Sequence, residues 1–374
     1  MISRRGFLMA SSGVIACGRR KATAFPGYCF VANRQGRNVA VVDLSRFRVR
    51  KQIALDAAPV SVLAGPRRPM AYALAPSNGT LYELDAATLA VSRRLRAGNA
   101  AVEMRLAPGW RSLWILYRDP PALVEVPFDS LKATRRIRLN APPDGFDLSV
   151  DGRAAVACRE NQTIVLAALD PARVERTIAW DAAPEFVRFR TDGKLLLAAD
   201  AAGRSISFFE VASGKVMVRL PVPFEPRRYA ITPDGGQVFL DGTGMDAVAI
   251  VFPYNTEVWQ TVLAGRAPGA MAVAETPPFL LVSNPETNSV TVLDLANQNL
   301  SAVVEVGAGP GAILITPDNQ YALVLNELSG DMAVIRLDRL SASSSDRVLR
   351  YKSASLFTMV PVGDTPVSAA VVGW

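Results

Sequence analysis

Short apolar runs separated by Gly, Pro, Asn and Asp recur about every 42 residues from Tyr28 to Trp374. Asp-Gly pairs mark the phase at Asp151-Gly152, Asp192-Gly193 and Asp234-Gly235, with Asp318-Asn319 two periods later and Pro108-Gly109 one period earlier. A second comb, Pro143, Pro184, Pro226, Pro268 and Pro310, runs offset from the first, with Pro59 and Pro366 at its ends. Within one period the pattern predicts four strands: an inner one at 270–274, then 279–283, 289–294 and 302–306. The runs at 228–232, 238–241, 247–252 and 258–263 repeat that order.

One turn-marked unit of four short strands per period predicts an all-β fold, a closed β-propeller of four-stranded blades. Central runs such as Ala322-Leu323-Val324-Leu325 are apolar throughout, as strands covered on both faces should be. Second strands starting near Tyr28, Ala71, Leu113, Ala154, Leu196, Val238, Phe279 and Tyr321 count eight blades, or seven if one unit is degenerate. The first unit has no inner strand of its own, and Pro366 to Val372 supplies that pattern at the other end of the chain. The C-terminal strand is therefore expected to pair with the N-terminal blade, which hides the edges an open array would expose.

Several segments resemble the YVTN-type β-propeller repeat family. Phe30-Val31-Ala32-Asn33 is similar to its Tyr-Val-x-Asn strand, Val290-Thr291-Val292-Leu293-Asp294 to its Val-x-Val-Ile-Asp strand, and Gly307-Ala308-Gly309-Pro310 to its Gly-x-x-Pro element. Thr232-Pro233-Asp234 and Thr316-Pro317-Asp318 match its turns. The resemblance covers nearly everything after residue 27 and implies a propeller of the cell envelope. It carries over no catalytic residues, because the repeated positions are turns and packing.

The N-terminus agrees with the envelope. Ser3-Arg4-Arg5-Gly6-Phe7-Leu8-Met9 resembles the twin-arginine export motif, and the apolar run that follows to Ala16 is too short to span a bilayer. Val14-Ile15-Ala16-Cys17 resembles a lipobox, which implies cleavage before Cys17 and a lipid on that cysteine. Ala22-Thr23-Ala24 is a competing site that would release a soluble chain from Phe25. Residues 1–24 are thus read as an export signal and 25–374 as a single propeller domain. The protein is expected to cross the bacterial inner membrane and to be periplasmic or lipid-anchored.

Composition narrows the chemistry. The chain has no histidine, which removes the commonest general base and the usual transition-metal and haem ligand. No metal and no cofactor is expected. Cys29 and Cys158 fall in repeats one and four, too far apart in a ring for a disulfide.

The formal charge is +7, with positive residues crowded on the outer strands of the first four units. Arg48, Arg50, Arg93, Arg94, Arg96, Arg135, Arg136 and Arg138 form a candidate basic rim for an anionic membrane surface or an acidic envelope polymer. Neither aromatic interleaving nor a recognition motif supports nucleic acid.

A propeller's loops converge at the mouth of its channel. The positions after the proline comb read Asp144, Glu185 and Arg227, then Gly269 and Gly311. Arg159, Glu160, Asp200 and Asp241 follow second strands and should rim the same mouth. This half-ring of acids and arginines is the candidate ligand site.

The expected function is a non-enzymatic scaffold or binding module for an envelope protein, glycan or lipid surface, as a monomeric ring. The alternative is a propeller enzyme, lactonase-like or, less favoured, quinoprotein-like, working through the mouth acids and arginines. The quinoprotein repeat's tryptophan is missing after Asp85-Ala86-Ala87-Thr88 and after Ser213-Gly214-Lys215, and only Thr256 to Trp259 comes near it.

Overall fold

The computed structural model describes residues 25–66, 68–340 and 355–373. These form eight four-stranded antiparallel sheets, each one blade. The inner strands of blades 2 to 8 are Ser61–Ala64, Asn99–Leu106, Gly145–Leu148, Pro184–Phe189, Glu225–Ile231, Met271–Ala274 and Pro310–Ile315. Blade 1 takes its inner strand from the far end of the chain: Pro366–Gly373 pairs antiparallel with Gly27–Asn33, Tyr28 opposite Val372 and Ala32 opposite Ser368. Ring closure by the C-terminal strand, expected from the displaced inner-strand pattern, is what the fold does. Arg4, Arg5, Cys17 and Trp374 lie outside the described residues.

Eight apolar clusters hold the described ring together, and each sits between two neighbouring blades. Phe30, Val41, Ala73 and Tyr82 join blades 1 and 2, for example, and Cys29, Val42, Leu323 and Val334 join blades 8 and 1. Burial on both faces explains why the middle strands are apolar without alternation; Tyr321–Asn326 is buried at every position. Cys29 and Cys158 are free, buried thiols in different blades.

The recurring glycines have a physical cause. Gly152, Gly193, Gly235 and Asn319 all have positive φ, between 53° and 81°, at the same turn of blades 4, 5, 6 and 8. Glycine adopts that conformation freely and asparagine tolerates it.

The glycine of Gly-x-x-Pro is set by close packing. A side chain at Gly307 would come within 2.6 Å of Asn326 Nδ2, and one at Gly265 within 2.5 Å of Asn284 Oδ1. Gly363 sits likewise against Asn33. Each of these asparagines is fully buried at the end of a second strand and ties down the following loop; Asn326 Nδ2 donates to Asp331 Oδ1 at 2.6 Å.

Candidate functional site

The inner strands divide the channel into two halves. Those of blades 7, 8, 1 and 2, reading MAVA, PGAILI, PVSAAVVG and SVLA, carry no charged residue. Those of blades 3 to 6 carry Glu103, Arg105, Asp147, Glu185, Arg188, Glu225, Arg227 and Arg228. Four acids and four arginines cancel in charge, but all of them stand on one side of the channel.

At the mouth these side chains form a ladder across blades. Arg118 pairs with Asp144, whose other oxygen accepts the Arg159 backbone N–H at 2.8 Å. The Arg159 guanidinium lies 2.6 Å from Glu185, a carboxylate only 12% exposed. Arg227 donates to Glu185 at 3.3 Å and to Glu225 at 3.0 Å. Asp144, Arg159, Glu185 and Arg227, singled out as candidates, are therefore brought together.

The other three candidates are not on the ladder. Asp200 is buried and accepts the Gly203 backbone N–H at 2.9 Å, closing its own turn. Glu160 is exposed and has no ion-pair partner among the described residues. Asp241 is completely buried and meets Arg228 at 3.3 Å. Burial pushes its carboxyl up to about 6, against the pull of Arg228, and its Oδ1 has no hydrogen-bond partner.

A cavity of about 850 Å³ opens beside the ladder, lined by Glu185, Arg227 and Arg228, by the loop from Gly242 to Asp246, and by Pro268 and Gly269. That size falls within the roughly 300–1,000 Å³ typical of small-molecule and cofactor sites. Deeper in the channel a second cluster surrounds Asp147, which is 2% exposed. Its Oδ1 faces Arg188 at 2.7 Å and Arg105 at 3.4 Å, and its Oδ2 accepts the Phe189 N–H at 2.8 Å. Arg105 also donates to Tyr229 Oη at 3.3 Å and lies over the Phe146 ring, and Arg188 lies over the ring of Tyr229.

Arg118, Arg228 and this deeper cluster were not among the sequence candidates. For all but Arg118, which lies on a second strand, a usable signal existed: charges inside inner strands that are elsewhere uncharged.

The basic rim is partly inter-blade cement. Arg93 binds the buried Glu83 at 2.5 Å and the Phe128 carbonyl of the next blade at 2.7 Å. Arg94 meets Asp56, and Arg135 meets Glu125 and Asp170. Arg96 and Arg136 donate to Asn99 and to the Ala97 carbonyl, both at 2.5 Å. Arg48, Arg50 and Arg138 have no ion-pair partner among the described residues and keep their charge for the surface.

No protein-family model matches the chain. By sequence it is 24% identical over 236 residues to hydrazine synthase subunit beta of Kuenenia stuttgartiensis. That stretch is 48% of this chain and 61% of the relative, so less than two thirds of the relative is spanned.

By fold it resembles dihydro-heme d1 dehydrogenase NirN in complex with DHE, with a TM-score of 0.77 at 15% identity over 95% of this chain and 77% of that one. It also resembles hydrazine synthase of Kuenenia stuttgartiensis, with a TM-score of 0.58 at 20% identity over 74% of this chain and 95% of that one.

The expectation of a non-enzymatic scaffold is corrected here. The relative found by sequence is a subunit of an enzyme, and the propeller matched over nearly the whole chain is named a dehydrogenase. Repeat motifs report how blades pack and leave the chemistry of the mouth unread, which is why the sequence favoured the scaffold. Among the described residues, no helix is long and apolar enough to cross a membrane.

Proposed function

We propose that this chain is an exported propeller enzyme, or the ligand-binding subunit of one, acting on a carboxylate-bearing tetrapyrrole held at the channel mouth. The observation that carries the reading is the cavity of about 850 Å³ on the border between a charged and an uncharged channel wall, with Arg227 and Arg228 in its lining. Such a macrocycle has an apolar face and acidic side chains at its edge. Arginine's planar fork suits those carboxylates, and Arg227 already holds two protein carboxylates that a ligand would replace.

The chain's residues fit the acid groups and the ring better than an iron atom. There is no histidine, and among the described residues Met245 is the only thioether in the cavity lining. Recognition therefore rests on the arginines, and a bound tetrapyrrole would supply the redox chemistry. Export under Arg4 and Arg5, a lipid on Cys17, the YVTN-type kinship and contact of Arg48, Arg50 and Arg138 with an anionic surface belong to the same proposal.

The test is fluorescence titration of the chain with a metal-free carboxylated porphyrin and with its methyl ester, which needs no iron ligand. One-to-one binding of the acid, at least tenfold tighter than the ester, is expected. Equal affinity for acid and ester, or binding of neither, would refute the reading.

A further inference from the structure

Each blade ends in an outer strand whose far edge pairs with nothing in its own sheet. Exposed edges invite pairing with other chains, and charged side chains are the usual protection. Blades 1 to 4 are so protected: Arg48, Arg50 and Lys51, then Arg93, Arg94 and Arg96, then Arg136 and Arg138, then Arg173 and Arg176. Blade 5 keeps Arg219.

The edge strands Glu257–Leu263 of blade 6, Asn299–Glu305 of blade 7 and Leu356–Pro361 of blade 8 have no positive charge, but that of blade 8 is partly covered, since Phe357 packs on Phe47 of blade 1 with ring centroids 5.4 Å apart. In the place of arginines stand Trp259 at 54% exposure, Leu263 at 72%, Leu300 at 58% and Val303 at 48%. The two edges are linked, since Trp259 Nε1 donates to Gln298 Oε1 at 3.2 Å across the blade boundary.

We infer that the edges of blades 6 and 7 are the contact surface for a second copy of this chain, joined about a two-fold axis, in place of the monomeric ring expected from sequence. Antiparallel pairing of two Glu257–Leu263 strands centred on Gln260 sets Trp259 opposite Thr261 and Glu257 opposite Leu263, so no like charges meet. The copy itself offers what the edge lacks: an identical unguarded strand.

Charge favours the same arrangement. Blades 6 and 7 lie across the ring from blades 2 and 3, so the arginine-rich rims of the two copies point away from each other. Their separation then exceeds the screening length of about 8–10 Å many times over. The four apolar side chains expose on the order of 400 Å², the core of a contact that needs about 800 Å² per partner once its polar surround is added.

The experiment is light scattering after size exclusion of the full chain, over a range of loading concentrations, for wild type, Thr261→Arg and Leu263→Lys. A wild-type dimer that both substitutions convert to monomer, with unchanged melting temperature, is the expected result. A monomer at every concentration, or a dimer that survives both substitutions, overturns the inference. Because neither residue touches the mouth, porphyrin binding by the monomeric variants stays as in wild type and keeps this inference separate from the functional one.

Discussion

Blades 7, 8 and 1 differ from blades 3 to 6 in ways that separate scaffold from site. In the first group a glycine packs on a buried asparagine at the mouth (Gly265 on Asn284, Gly307 on Asn326, Gly363 on Asn33), and the inner strands carry no charge. In the second group the homologous strand ends are Cys158 and Asp200, and the wall carries four acids and four arginines. Regularity is what a closed ring needs from its repeats. Departure from it is concentrated in adjacent blades beside the large cavity, which is where the proposed ligand would sit.

The largest break in this contrast comes from the regular half. Removing residues 366–374 takes away the inner strand of blade 1, and the truncated chain should lose its cooperative melt altogether; far-UV circular dichroism on heating would show this.

Next in size is Gly307→Ala. Its new methyl would overlap Ser329 Oγ and Asn326 Nδ2, with a cost of about 1–3 kcal/mol expected in urea denaturation.

Asp241 gives a smaller effect with a defined sign. Its folded carboxyl titrates near 6, above its ordinary value, so the folded state holds a proton that the unfolded chain has lost. Wild-type stability should therefore fall as pH rises from about 4 through 6. Asp241→Asn, which cannot ionise, should gain on wild type over that interval in thermal melts at pH 5 and pH 7.

The smallest stability change belongs to the ladder. Arg159→Ala removes a partly exposed pair and should cost less than about 1 kcal/mol, as such pairs usually do.

Much of this fold was legible in the chain. Blade count, strand order and the displaced closing strand followed from the Asp-Gly and proline combs, because turns with positive φ constrain residue type at the same place in blades 3, 4, 5, 6 and 8. Asp144, Arg159, Glu185 and Arg227 were legible as a cluster because they interrupt that repeat, and the structure brings the four together. Asp200 and Asp241 misled by position alone: one closes a local turn and the other is buried behind Arg228.

The deeper Arg105, Asp147 and Arg188 cluster was missed because its members are far apart in sequence and meet only when three inner strands line one channel wall. The unguarded rim escaped notice as a surface because alternating strand positions do not reveal which apolar residues stay uncovered. The mouth's ligand was not legible at all, since turns and packing positions say nothing of it.

The proposed ligand would be held by the charged half of the mouth and not by the regular half. That placement is tested most directly by porphyrin titration of Arg227→Ala beside Arg34→Ala, whose arginine pairs with Glu327 at 3.6 Å on the regular side. At least a tenfold loss of affinity is expected for Arg227→Ala and less than a twofold change for Arg34→Ala. Equal losses in both variants, or undiminished binding by Arg227→Ala, would contradict it.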